Sequence, residues 1–178
     1  MRFVYDEFEE FYDPTRADSY RKRIKNENGE VTEIDILETA GQEEYAAVHF
    51  QHHNYYRSGE GFILVYSITD RASFLAMKDF RSQIIRSLND PSPPLLLIGN
   101  KTDLTAFRTV SSEEGISLTE NWGKFCKFRE VSAKEDQGIK SIFTEISQLI
   151  ESKKKSFGNP KIGPKPSKKN KKFKCQIQ

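Results

Sequence analysis

The sequence has few cysteines and no long apolar run, and each absence excludes a class of protein. Two cysteines among 178 residues, at positions 126 and 175, are too few for a disulfide framework and fit a reducing compartment. No apolar run approaches the roughly 20 residues of a membrane span, and the acidic, aromatic residues 1–10 are unlike a signal peptide. With 36% hydrophobic residues and a mean hydropathy of −0.69, the sequence predicts one soluble domain with a buried core.

Acidic residues are absent from the carboxyl-terminal part of the chain. Residues 153–178 contain ten of the 28 basic residues, all lysines, and no Asp or Glu, which leaves 18 basic against 26 acidic residues elsewhere. The basic charge therefore belongs to a tail that also carries proline and glycine, and we predict that residues 155–178 are disordered. Basic patches often indicate nucleic-acid binding, but no fold surrounds this one, so we expect no nucleic-acid partner.

Apolar runs alternate with helical patterns over most of the chain. Residues 62–66 and 95–98 are near-continuous apolar runs, typical of strands buried on both faces of a parallel sheet. An Asn-Gly pair between the strand-like runs 20–25 and 31–37 indicates a hairpin. The remaining patterns predict helices over 72–88, 112–122 and 138–154, and a strand over 127–131. This alternation predicts an α/β fold whose ligands bind beyond the carboxyl ends of the strands.

An acidic residue and a turn of small residues end the apolar run at 34–37. In a phosphate-handling site, the carboxylate of Glu38 can hold a magnesium ion or its water, and Gln42 can orient an attacking water. The backbone amide of Gly41 can reach a terminal phosphate because no side chain stands in the way. Such turns are common, so the segment indicates phosphate chemistry only in the company of other motifs.

Two more polar loops follow predicted strands. They read Asn100-Lys101-Thr102-Asp103 and Ser132-Ala133-Lys134. The carboxylate of Asp103 can accept two hydrogen bonds from N1 and the exocyclic amino group of guanine, which adenine cannot offer. Asn100 and a short backbone turn can hold the ring oxygen and N7 of the same base. These loops therefore predict a guanine-binding site.

A fourth loop completes the pattern and carries a family resemblance. It reads Tyr12-Asp13-Pro14-Thr15-Arg16-Ala17-Asp18-Ser19-Tyr20. With this loop and residues 57–62, the chain resembles a Ras-superfamily small GTPase, most closely the Ral branch, from about residue 3 to about residue 151. The resemblance implies a Ras-like P-loop NTPase (G-domain) fold of three layers with a mostly parallel sheet. It divides the chain into a GTPase domain, 1–154, and a polybasic tail, 155–178.

The resemblance also implies a GTP hydrolase that uses GTP, GDP and Mg²⁺. It implies that Phe8 covers the base, that Tyr12 lies near the phosphates, and that Thr15 and Glu38 hold magnesium while Gln42 aligns water. The remaining nucleotide contacts fall on Gly41, Asn100, Lys101, Asp103, Ser132, Ala133 and Lys134. From the residues alone, Phe8 and Tyr12 can equally be core or hydrophobic-staple rings, and Thr15 a turn threonine.

Several features depart from the family pattern. No glycine-rich phosphate loop of the form G-x-x-x-x-G-K-[ST] occurs, and residues 158–165 match only its glycine spacing. Glu38 stands where the family has aspartate, so we expect weaker magnesium binding. The chain begins near the end of the family's first helix, and without the first strand the sheet should have two unsatisfied inner edges. We therefore expect either an upstream start or a different fold, with hydrolysis near zero for the chain as it stands.

Three histidines, at positions 49, 52 and 53, have i, i+3, i+4 spacing in a segment about three residues longer than the Ral pattern. They could line one helix face as metal ligands, but no cysteine or further histidine completes a site. The bland interpretation is a solvated helix face.

The tail ends in Cys175-Gln176-Ile177-Gln178, a prenylation-type motif. A lipid on Cys175 and the lysines before it would together make a stable anchor, which indicates the cytoplasmic face of the plasma membrane. Alternatively, the tail is solvated and its cysteine is unmodified, or the tail is a nuclear-localisation signal.

The resemblance implies effectors that bind residues 12–20, and exchange factors and GTPase activators that set the cycle. The competing hypotheses are a non-catalytic interaction protein and a partial gene model.

Overall fold

A computed structural model describes residues 2–8, 17–25, 29, 31–39 and 56–157, and the backbone of 171–177. These residues form the helices α1 (Arg2–Tyr5), α2 (Arg71–Leu88), α3 (Ser112–Glu120) and α4 (Ile139–Ser156). They also form the strands β1 (Ala17–Lys25), β2 (Val31–Thr39), β3 (Gly61–Ser67), β4 (Leu95–Asn100), β5 (Cys126–Glu130) and β6 (Lys171–Ile177). A 3₁₀ helix covers Thr102–Phe107. The predicted α/β class is confirmed.

The strands β3, β4 and β5 form a parallel sheet, as the apolar runs of β3 and β4 predict. Alternate side chains of β3 and β4 enter two different cores because successive residues of a strand face opposite sides of the sheet. Leu64 and Leu97 join the core on the side of α2, whereas Ile63 and Leu96 join the core on the side of α4. Helices on both faces of the sheet give the predicted three layers.

The helices begin and end where their capping residues allow. Asp70 accepts hydrogen bonds from the backbone N–H groups of Ala72 and Ser73 at the start of α2, and Asn89 ends that helix in the left-handed region at φ 51°.

On the opposite face of the sheet lies α4. The ring of its Phe143 stacks on the ring of Phe3 in α1, with 3.6 Å between the ring centroids. No helix in the described part of the chain is long and apolar enough to cross a membrane.

The hairpin is also confirmed, since β1 and β2 pair antiparallel from Ala17↔Thr39 to Lys25↔Val31. Gly29 in the connection has a φ of 79°, a conformation that glycine adopts without steric cost. The strand β1 extends three residues earlier than the predicted run, because Ala17, Asp18 and Ser19 continue the ladder with β2.

The carboxyl-terminal strand β6 corrects two predictions. The strand order is β1-β2-β6-β3-β4-β5, so β6 lies in the middle of the sheet and pairs parallel with both β2 and β3. The prediction of disorder is therefore wrong for Lys171–Ile177. The predicted pair of unsatisfied inner edges is also wrong, because the backbone of β6 hydrogen-bonds to β2 and to the start of β3.

Candidate functional site

The loops after β4 and β5 are joined through the side chain of Asn100. Its Oδ1 accepts one hydrogen bond from the backbone N–H of Lys101 at 2.8 Å and a second from Ala133 at 3.1 Å. Lys101 has a φ of 71°, in the left-handed region, which turns the backbone sharply at the end of the strand. The Asn100 side chain therefore fixes two backbone segments from different loops in one place.

A second link joins the same loops through Ser132. Its hydroxyl donates to Oδ1 of Asp103 at 2.6 Å and accepts from the backbone N–H of Glu135 at 3.1 Å. Ser132 is fully buried and Asp103 is partly buried, so the carboxylate is held from the protein side by a donor that is shielded from water. The bond uses one carboxylate oxygen, and the other retains its capacity to accept hydrogen bonds from a ligand.

Backbone hydrogen bonds continue the connection between the loops. The N–H of Val131 donates to the carbonyl of Gly99 at 2.9 Å, and the N–H of Thr102 donates to the carbonyl of Val131 at 3.2 Å. Ser132 and Gln137 exchange a further pair of backbone bonds that closes the turn before α4. Lys101 and Lys134 remain exposed on this rigid platform, where their side chains are available to a ligand.

A cavity of about 220 Å³ lies beside these loops at the carboxyl edge of the sheet. Its wall includes Glu38 from the end of β2, Asn100 and Ala133 from the two loops, and apolar side chains from both the sheet and α4. Burial raises the pKa of Glu38, and the negative charge of Asp18 acts in the same direction. Three residues predicted from separate motifs are thus lined up along one cavity.

Comparisons with known proteins decide the family of this chain. The Ras family profile matches residues 1–152. The chain is 46% identical to Ras-related protein Ral-B of Mus musculus over 175 residues, which cover 98% of this chain and 82% of the relative. It is also 46% identical to Ras-related protein O-RAL of Diplobatis ommata over 172 residues, covering 96% and 81%.

The chain belongs to the Ras family. Its identity to the Ral proteins makes it a Ral-like small GTPase, and the Ras-like G-domain fold inferred from the motifs is confirmed. Proteins of the Ras family are GTP hydrolases that bind guanine nucleotides, generally with Mg²⁺.

The structure describes only part of the Ras-family switch regions. Tyr12, Asp13, Pro14, Thr15, Arg16, Gly41, Gln42 and the three histidines lie outside the described residues. Phe8 is described and is 42% exposed on the segment after α1. Its predicted position over the base stays a prediction.

The remaining residues of the predicted effector segment lie on β1, the outermost strand of the sheet. Asp18 and Ser19 are exposed, and the Tyr20 hydroxyl donates to Asp18 Oδ2 at 3.1 Å. Burial, and then the Asp18 hydrogen bond, raise the pKa of Tyr20 to about 12. This edge of the Ras-family domain therefore presents polar side chains to solvent.

An ion pair that the sequence did not reveal supports the base loops. Arg108 donates to both carboxylate oxygens of Glu130, at 2.5 and 3.1 Å, and to the backbone carbonyl of Val110. Glu130 ends β5, immediately before Val131, so this pair holds the segment after the 3₁₀ helix against the strand that leads to Ser132. Neither residue lies in a motif, and their separation of 22 positions gives no periodic signal.

Proposed function

We propose that the loops after β4 and β5 bind the guanine base through Asn100, Lys101, Asp103, Ser132, Ala133 and Lys134. The single observation that carries this proposal is the hydrogen bond from buried Ser132 to Asp103, because it fixes the carboxylate before any ligand arrives. A preorganised acceptor loses little conformational entropy on binding.

The chemistry of the base matches these groups. An ionised carboxylate only accepts hydrogen bonds, so Asp103 pairs with N1–H and the exocyclic amino group of guanine and rejects adenine. The carbonyl oxygen of Asn100 is already occupied by two backbone donors, which leaves its NH₂ group to donate to N7. The exposed Lys101 and Lys134 add positive charge beside the nucleotide.

The phosphate end of the site involves Thr15, Glu38, Gly41 and Gln42. A bound Mg²⁺ would neutralise phosphate charge, and Thr15 and Glu38 are the residues that would hold it. The half-buried Glu38 fits this role, because a neighbouring cation offsets the desolvation that raises its pKa. Gly41 would donate its amide to the terminal phosphate, and Gln42 would orient the water that attacks it.

The wider function is a membrane-associated signalling switch. Effectors would bind residues 12–20, whose described part lies on the exposed edge strand β1, and exchange factors and GTPase activators would set the nucleotide state. A lipid on Cys175 together with the ten lysines of residues 153–178 would hold the protein at the cytoplasmic face of the plasma membrane.

The substitution Asp103→Asn tests the base-binding proposal. An amide accepts one hydrogen bond and donates another, so it suits xanthine, which has a carbonyl where guanine has its amino group. We expect the affinity for GDP to fall roughly 10²- to 10⁴-fold and the affinity for xanthosine diphosphate to rise. The measurement is equilibrium displacement of a fluorescent GDP from the purified chain at millimolar magnesium.

Asp79→Asn is the matched control, because Asp79 is an exposed residue of α2 far along the chain from both loops. An unchanged ratio of GDP to xanthosine diphosphate affinity in Asp103→Asn would contradict the proposal. If the unsubstituted chain is folded by circular dichroism but binds neither nucleotide, the non-catalytic interaction protein is the better interpretation.

A further inference from the structure

The middle of the sheet is filled by a segment from the far end of the chain. The strand β6 pairs with β2 from Thr32↔Lys171 to Glu38↔Ile177 and with β3 from Gly61↔Cys175 to Ile63↔Ile177. In both ladders the strands are parallel. The space between β2 and β3, here called the β2–β3 slot, therefore receives an extended segment along both of its edges.

In the register of β6 against β2, lysines stand opposite acidic residues and apolar residues stand opposite apolar residues. Lys172 stands opposite Glu33 and Lys174 opposite Asp35, so two lysines align with two carboxylates. Phe173 and Cys175 stand opposite Ile34 and Ile36, which are fully buried in the core under α4. A shift by one residue would set the lysines opposite the buried isoleucines, so this pattern specifies one register.

The sequence of β6 has the alternation that a half-buried strand requires. Phe173, Cys175 and Ile177 alternate with Lys172, Lys174 and Gln176. The last paired residue of β6 is Ile177, which stands opposite Glu38 of β2 and Ile63 of β3. Both of these partners line the cavity at the carboxyl edge of the sheet. The segment is thus a strand by its pattern although its composition is that of a tail.

The end of α4 lies close to the edge of the sheet where β6 must enter. Lys154 donates to Glu60 at 2.6 Å, directly before β3, and Lys153 donates to the carbonyl of Ser92, shortly before β4. Fourteen residues, 157–170, lie between the end of α4 and the start of β6.

We propose that the β2–β3 slot is a strand-binding site and that its occupant is the chain's own segment Lys171–Ile177. Occupancy places Cys175, Gln176 and Ile177 in the backbone ladder of the sheet. A prenyltransferase must bind these same residues as a free carboxyl terminus. The inserted segment is therefore withheld from lipid transfer, and this consequence rests on the proposed lipidation of Cys175.

Amide hydrogen exchange of the full chain tests the strand site. We expect amides in β6 and in residues 32–38 to exchange at least 100-fold more slowly than unstructured amides, because they are hydrogen-bonded in the sheet. Lys172→Pro places a proline, which cannot donate to a ladder, near the start of β6 and should abolish this protection within β6. Lys168→Pro makes the same change outside the paired residues and should leave it intact. Exchange of β6 at the unstructured rate in the unsubstituted chain would overturn the proposal.

A disulfide tests the register independently of whether the proline variant folds. Partners in adjacent strands lie roughly 4.8 Å apart, within the roughly 4.4–6.8 Å that a disulfide spans between Cα atoms. In a chain with Cys126→Ala and Cys175→Ser, the pair Asp35→Cys with Lys174→Cys should cross-link readily under mild oxidation. The shifted pair Asp35→Cys with Lys172→Cys should cross-link at least tenfold more slowly, and equal rates would overturn the proposed register.

Prenyl transfer tests whether the inserted segment is withheld. With a purified protein farnesyltransferase and farnesyl diphosphate, we expect Lys172→Pro to be modified at least tenfold faster than the unsubstituted chain and Lys168→Pro. Equal rates for all three would overturn this consequence. If no variant is modified while β6 remains protected from exchange, the lipidation proposal fails and the strand site stands.

Discussion

The two halves of the sheet, called here the apolar flank and the charged flank, are held together by different interactions. The apolar flank, formed by β3 and β4, contains strands such as Leu95–Asn100, in which the first four side chains are at most 1% exposed. The charged flank, formed by β1, β2 and β6, alternates buried isoleucines with carboxylates. There Arg21 pairs with Asp35 at 2.5 Å and Arg23 with Glu33 at 3.3 Å.

The difference separates stability from specificity. Burial of apolar surface is favourable whichever apolar partner covers it, so the apolar flank supplies stability without selecting one register. Each cross-strand charge pair contributes little to stability. A wrong register, however, would place the lysines of β6 opposite like charges or opposite the buried isoleucines. The charged flank can therefore choose between strands, and it is the flank that accepts β6.

The largest effect is expected in the apolar flank. Leu96→Ala should lower the free energy of unfolding by about 2–5 kcal/mol, because Leu96 is completely buried and its loss leaves a cavity. Urea denaturation followed by circular dichroism measures the change. Leu75→Ala is the control, since Leu75 is 52% exposed and its truncation should cost less than about 0.5 kcal/mol. Equal costs for the two variants would contradict the assignment of stability to this flank.

Cys126, which begins β5 and packs beside the apolar flank, sharpens the comparison through pH. Burial raises the pKa of Cys126 to about 12, above the ordinary value of 9. From about pH 9 to 12 the unfolded chain loses the thiol proton and the folded chain keeps it, so stability falls as pH rises. Cys126→Ala removes this titration. Between pH 9 and 10 the free energy of unfolding of this variant should therefore fall by about 1 kcal/mol less than that of the unsubstituted chain.

The measurement for Cys126 is urea denaturation at pH 8, 9 and 10. Leu118→Ala is the control, because Leu118 borders the same core and does not titrate, so its cost should be equal at every pH. Parallel curves for Cys126→Ala and the unsubstituted chain would show that burial does not hold the thiol neutral.

The smallest effect is expected in the charged flank. Asp35→Lys places a third positive charge between Arg21 and the register position of Lys174, and the melting temperature should fall by about 1–4 °C. The double variant Asp35→Lys with Lys174→Asp restores opposite charges across the β2–β6 ladder and should recover part of the loss. No recovery by differential scanning calorimetry would break the comparison, because the register of β6 would then not depend on charge.

The apolar flank could be predicted from the sequence, and the charged flank only in part. Continuous apolar runs at 62–66 and 95–98, each preceded by Gly or Pro, indicate buried strands, and the hairpin of β1 and β2 is a local signal. The strand β6 was missed because its lysines dominate the composition. Its partner β2 lies about 140 residues earlier in the chain, and no local pattern encodes such a pairing.

The candidate site shows the same division. Asn100, Asp103, Ser132 and Ala133 were predicted because short loops of these residue types after strands carry recognisable chemistry. The pair of Arg108 and Glu130 was missed, because a salt bridge between separate elements leaves no spacing pattern in the sequence.

Because β6 is tethered to α4, a strand from another molecule that binds the β2–β3 slot must compete with β6. The fourteen residues of the connection keep the segment Lys171–Ile177 near the slot at an effective concentration on the order of millimolar. A strand from another molecule present at micromolar concentration must therefore bind the slot about a thousandfold more tightly to displace it. The slot is in this sense an occupied receptor, which a second strand enters only by displacing β6.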